Sequence, residues 1–94
     1  MGDRYRVLIV EDEVLVRGGL KSVIGWEKLG MEIIGDAANG KQALEIYEAD
    51  KPDIILTDIK MPVMDGLELI ARIREKDEKT KIVILTCYEE FEYL

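Results

Sequence analysis

Two acidic stretches hold the chemistry open to this chain. Glu11-Asp12-Glu13 follows the run Arg6-Val7-Leu8-Ile9-Val10, and Asp58 follows Ile54-Ile55-Leu56-Thr57. Apolar runs without polar alternation suit strands buried on both faces of a parallel sheet. Glu11, Asp12 and Asp58 would then stand at the carboxyl ends of strands, where open α/β sheets bind their ligands. Carboxylates gathered there repel one another. At ~4 Å and an effective dielectric of ~20, each pair costs about 4 kcal/mol before screening. A divalent cation, or a proton on one carboxylate, relieves that repulsion. Oxygen-only ligands with open positions suit Mg²⁺, which keeps several waters and favours phosphate oxygens. Each stretch alone has a plainer explanation. Acids are stabilised at a helix N-terminus by its dipole, and aspartate is a common turn residue after a strand. Both stretches together, at the tips of strands expected to be neighbours, point to a site with Asp58 as its working residue.

Composition narrows the classes. Ninety-four residues make one small domain. A formal charge of -7 argues against direct nucleic-acid binding, which needs a basic face. The chain has no histidine, which excludes a histidine-based triad or zinc site within it. The lone Cys87 cannot form an internal disulfide, so a reducing, cytoplasmic setting is expected. No apolar run is long enough to span a bilayer, and the opening Met1-Gly2-Asp3-Arg4-Tyr5-Arg6 has no apolar signal region. No membrane partner is expected.

The positioning elements follow from periodicity. Arg6 to Val10 reads as the first strand. From Glu13 to about Trp26, Val16, Leu20, Val23 and Ile24 recur at helical spacing, with Gly18 and Gly19 weakening the helix. Met31 to Asp36 is a second strand, more polar and nearer an edge. Asn39 caps a helix over Lys41 to Ala49, with Ala43, Leu44 and Tyr47 inward. Pro52 stops it and leads into the central strand from Ile54. Asp65 caps a third helix in which Leu67, Ile70 and Ile73 face the sheet. The charges from Arg72 to Lys81 read as a solvated helix end and loop. Ile82 to Leu85 is a fourth strand, ending at Thr86-Cys87, and Tyr88 to Leu94 begins another helix. Strands alternating with helices imply a parallel sheet joined by right-handed crossovers. The first strand is then central, flanked by the second and third, and a crevice opens where the order reverses.

With these residues in place, the chain resembles the receiver domain of two-component response regulators. The match rests on Glu11-Asp12 after Val7-Leu8-Ile9-Val10, on Asn39-Gly40, and on Asp58-Ile59-Lys60-Met61-Pro62-Val63-Met64-Asp65-Gly66, with Thr86 closing the set. The resemblance implies an α/β, flavodoxin-like parallel sheet of order 2-1-3-4, the fifth strand and fifth helix missing. Residues 1–94 would form one receiver domain, incomplete at its C-terminus. Asp58 would accept the phosphoryl group of a sensor histidine kinase. Asp12 and Asp58 would ligate Mg²⁺ with the backbone carbonyl of Lys60, Glu11 would act through a metal-bound water, and Thr86 would swing toward the acyl phosphate. Such a domain is a regulator, not an enzyme, and catalyses only its own phosphoryl transfer and dephosphorylation. Trp26-Glu27-Lys28-Leu29-Gly30 and Tyr88-Glu89-Glu90-Phe91-Glu92-Tyr93 look like receivers joined to AraC-type DNA-binding regions, implying transcriptional control through an output domain outside this sequence.

Two alternatives fit the acids less well. A Mg²⁺-dependent nucleic-acid-processing domain of topoisomerase-primase type wants Asp-x-Asp where this chain has Asp58-Ile59-Lys60. A receiver-shaped interaction module without phosphorylation has no use for intact Glu11, Asp12, Asp58 and Thr86. The family's fifth-strand lysine has no counterpart here, and the fourth strand would keep an unpaired edge, so a homodimer or an oligomer that exchanges elements is expected. The chain is accordingly expected to bind Mg²⁺ but take up phosphate poorly. Labelling by acetyl phosphate, timed against a full-length receiver, should show slower uptake; equal rates would contradict it.

Overall fold

Four parallel strands alternate with three α-helices over residues 4–85, which the computed structural model describes. The order along the chain is β1 (Tyr5–Val10), α1 (Val14–Val23), β2 (Met31–Ala37), α2 (Gly40–Asp50), β3 (Ile54–Asp58), α3 (Gly66–Arg74) and β4 (Lys81–Leu85). The strands lie in the order β2-β1-β3-β4, all parallel, as expected. β1 is paired on both sides and reads as a continuous apolar run because both its faces are covered. Val7 and Ile9 point to the α1 side with Leu56; Leu8 and Val10 point to the α2 and α3 side with Ile55. Thr86, Cys87 and the expected helix over Tyr88 to Leu94 lie outside the described residues.

Local chemistry sets the helix starts. The Asn39 side chain accepts from the Gln42 N–H at 2.9 Å, and Asp65 accepts from the Glu68 N–H at 2.9 Å. Each occupies one backbone donor that the first helical turn leaves unpaired. α2 turns Ala43 and Tyr47 fully inward, with Leu44 and Ile46 packed beside them. Tyr47 is buried to its hydroxyl, which donates to Asp77 at 2.8 Å. Asp77 also accepts from the Thr80 hydroxyl and from the N–H groups of Lys79 and Thr80. The Thr80 and Tyr47 hydroxyls together hold its carboxyl well below the usual carboxylate range. Within the charge run expected to be solvated, Asp77 therefore ties the α3–β4 connection to α2.

Two helical faces differ from expectation. In α3, Leu69 and Ile73 are fully buried and Ile70 partly so, whereas Leu67 is 54% exposed. The cap at Asp65 fixes the helical phase, and that phase sends position 67 outward and position 69 onto the sheet. α1 ends at Val23 instead of reaching Trp26, because Ile24 turns to extended backbone with φ -80 and ψ 133. Trp26 then folds back, its indole N–H donating to the Leu20 carbonyl at 3.0 Å, and both pack on the Val7-Ile9-Leu56 cluster. Val16 and Val23, expected inward, are 41% and 82% exposed, and Ile24 is half-buried. Among the described residues α1 buries no side chain fully.

Truncating a buried leucine to alanine costs about 2–5 kcal/mol, whereas an exposed one changes stability by about 0.5 kcal/mol or less. Leu69→Ala should therefore lower the urea midpoint sharply and Leu67→Ala leave it nearly unchanged. Equal losses would place the helix in the wrong phase.

Candidate metal centre

The register of β1 against β3 builds the site. Val10 pairs with Thr57, so the residues that follow each strand emerge side by side. Carboxylate oxygens of Glu11, Asp12 and Asp58 all lie within 4.8 Å of one another, the only such acidic group among the described residues. Glu11 continues the β1 ladder, its N–H donating to the Ala37 carbonyl at 3.0 Å. Its side chain turns inward and is 5% exposed, with one oxygen accepting the Glu13 N–H at 3.1 Å. Asp58 is half-buried, and its Oδ1 accepts the N–H of Ile59 at 2.7 Å, which restrains rotation of the carboxylate.

The electrostatics record the crowding. Burial pushes the Glu11 carboxyl up to about 7, opposed by the Glu13 N–H; a hydrogen bond with Asp12 and the charges of Asp58 and Asp12 raise it further. A buried carboxyl beside two others retains its proton when nothing positive compensates it. The donor set is all oxygen, acidic and open on one side, which fits a hard divalent cation of the Mg²⁺ kind and not a thiolate- or imidazole-seeking metal.

Of the residues singled out from sequence, Glu11, Asp12 and Asp58 are brought together. Lys60 follows two positions later in the loop, with its side chain exposed. Thr86 lies outside the described residues. Sequence reasoning passed over Arg17. Its guanidinium donates to the Glu11 carbonyl at 2.6 Å and lies 3.5 Å from Asp36, which also pairs with Lys21 at 2.6 Å. This brace ties α1, the tip of β1 and the end of β2 together just below the acids. A mid-helix arginine carries no local sign of such a role. The glycine contacts were equally hidden. A Cβ at Gly66 would sit 2.1 Å from the Asp58 carbonyl oxygen, and one at Gly40 would sit 2.6 Å from that of Met64. The Asp-Gly and Asn-Gly pairs were the only available signal.

Comparison with known proteins identifies the family and the fold. The model of the response regulator receiver domain matches residues 7–94. An uncharacterized transcriptional regulatory protein of Bacillus subtilis (strain 168), YesN, is 40% identical over 95% of this chain. The chain spans about a quarter of that relative's length (24%). The solved receiver domain of AraT, a response regulator from Geobacillus stearothermophilus, superposes with a TM-score of 0.91 at 36% identity, covering 97% of this chain and 70% of that one. A two-component transcriptional regulator AraC from Clostridium phytofermentans gives 0.86 at 37%, covering 96% and 73%. No helix among the described residues is long and apolar enough to cross a membrane.

The raised Glu11 carboxyl fixes the sign of a pH dependence. Between its ordinary value of 4.5 and about 7 the folded chain binds more protons than the unfolded one. Stability without metal should therefore fall as pH rises through that window. Urea unfolding in a chelator should show this, and Glu11→Gln should flatten the slope.

Proposed function

The chain belongs to the response regulator receiver family, and on its acidic strand tips we propose that Asp58 accepts a phosphoryl group from a sensor histidine kinase in the presence of Mg²⁺. The observation that carries this reading is the convergence of the Glu11, Asp12 and Asp58 carboxylates within 4.8 Å at the carboxyl ends of β1 and β3. Family membership sets aside the topoisomerase-primase alternative.

An oxygen of Asp58 attacks phosphorus in line, forming the O–P bond as the P–N bond to the kinase imidazole breaks. The bonding pair returns to the imidazole nitrogen. Transfer of this kind depends on positioning and charge stabilisation, with little covalent work for other side chains. Asp12 and Asp58 would hold Mg²⁺ directly, with the Lys60 carbonyl completing the protein ligands and Glu11 acting through water. The ion, when bound, offsets the negative charge of the incoming phosphoryl group. The Ile59 N–H keeps the Asp58 carboxylate in one orientation. Val14 and Leu15, which follow Asp12 closely in sequence and are 70% and 89% exposed at the start of α1, offer apolar surface on which the kinase can seat. Thr86, next in sequence after the Leu85 that pairs with Asp58, is assigned the hydroxyl that responds to the acyl phosphate. The whole protein is assigned transcriptional control through a DNA-binding output domain, in the cytoplasm.

Asp58→Asn should abolish labelling by acetyl phosphate while leaving the unfolding free energy from urea titration within about 1 kcal/mol of wild type. Asp12→Asn should weaken Mg²⁺ binding by about tenfold or more, a change of ~1.4 kcal/mol. Beryllofluoride with Mg²⁺ should bind wild type and not Asp58→Asn. Labelling that survives at position 58 as asparagine would overturn the assignment.

A further inference from the structure

The pairing of β1 with β2 slips by one residue. Val7 pairs with Ile33 but Leu8 pairs with Gly35, which leaves Ile34 as an extra residue in β2. The slip shows in the packing. Ile33 joins the Val7-Ile9-Leu56 cluster on the α1 side, whereas Ala37 joins Leu8 and Val10 on the α2 and α3 side. Four positions apart, two residues of a regular strand share a face. The bulge separates them, and bulges beside sites commonly re-aim a side chain. The side chain re-aimed here is Asp36. In unshifted register it would pair with Val10 and face the apolar core around Ala43 and Tyr47. With the bulge it pairs with Ile9, and its carboxylate lies on the α1 side, 3.5 Å from Arg17 Nε and 2.6 Å from Lys21 Nζ.

Arg17 and Lys21 stand one helical turn apart and share Asp36, but only one of them reaches the tip of β1. Arg17 Nη1 donates to the Glu11 carbonyl at 2.6 Å, and its side chain is 19% exposed, against 46% for Lys21. That carbonyl belongs to the planar peptide unit joining Glu11 to Asp12. On the other side of Glu11, its N–H is held by the Ala37 carbonyl at 3.0 Å, one residue past Asp36. Two bonds therefore fix the backbone that aims both carboxylates, and both trace back to the bulged end of β2. The charged donor makes the shorter and stronger of the two.

We propose that Arg17 is a positioning residue of the acidic centre: held by the Asp36 carboxylate that the β2 bulge turns toward it, it fixes the Glu11–Asp12 peptide unit and so the direction of both side chains. This rests on the metal reading above. Groups that orient metal ligands from behind carry about tenfold or more in metal affinity. Arg17→Ala should therefore raise the Mg²⁺ dissociation constant about tenfold, measured by titration calorimetry on the intact chain where far-UV circular dichroism matches wild type. Lys21→Ala breaks a closer ion pair to the same aspartate without touching β1, and should leave the constant unchanged. A role limited to tying α1 to β2 predicts equal effects. Arg17→Lys keeps the charge but loses the planar fork that spans both acceptors. It should fold even where Arg17→Ala does not, and still weaken Mg²⁺ binding several-fold. Wild-type affinity in either Arg17 variant, or equal losses in Lys21→Ala and Arg17→Ala, would overturn the proposal. A wild-type chain with no Mg²⁺ heat would instead overturn the metal reading, and this role with it.

Discussion

The pairing of Val10 with Thr57 is the contact on which the structure's chemistry depends. It places the tips of β1 and β3 side by side although Asp12 and Asp58 are 46 positions apart in the chain. Parallel pairing requires a crossover between the two strands, and here that crossover also contains β2, which pairs with β1 from the other side. The sheet order therefore reverses at β1, and the acids collect at the reversal. The cost of this placement shows at Glu11, whose carboxyl is raised to about 7 by burial and then by its acidic neighbours. Folding energy from the apolar strands holds together groups that would separate if free.

The two faces of the sheet serve that placement unequally. The α2 and α3 face packs Leu8, Val10 and Ile55 against Ala43, Tyr47, Leu69 and Ile73, all within 2% of full burial. Asp77 and Tyr47 fasten its lower end, and the glycine contacts of positions 40 and 66 fasten its upper end beside Asp58. The α1 face is held more lightly, by Leu20 and Trp26 against Val7, Ile9 and Leu56. There the Arg17 brace supplies polar attachment from α1 to both β1 and β2. The acidic centre is thus supported from below by a dry core on one side and by an ionic brace on the other.

Strand positions, their order and both helix caps were legible because each rests on local pattern: uninterrupted aliphatic runs, Asn39 and Asp65 before helices, and an aspartate at a strand end. The assignment of Leu67 to the inner face of α3 failed because apolar spacing of three fits positions 67, 70 and 73 as well as it fits burial at 69 and 73. The choice belongs to the cap, which sets the helix rotation. Val16, Val23 and Ile24 misled for a related reason. Periodicity describes the helix a segment could form, whereas Trp26 turning back onto Leu20 decided where α1 stopped.

Sequence alone determined which residues could form an oxygen-rich site and which strands would carry them, because strand burial and carboxylate chemistry are properties of short segments. The tertiary structure decided the rest. It brought three acids within 4.8 Å and set Arg17 beneath them. Those outcomes depend on distances between segments remote in sequence, and such distances exist only after the sheet has closed its register.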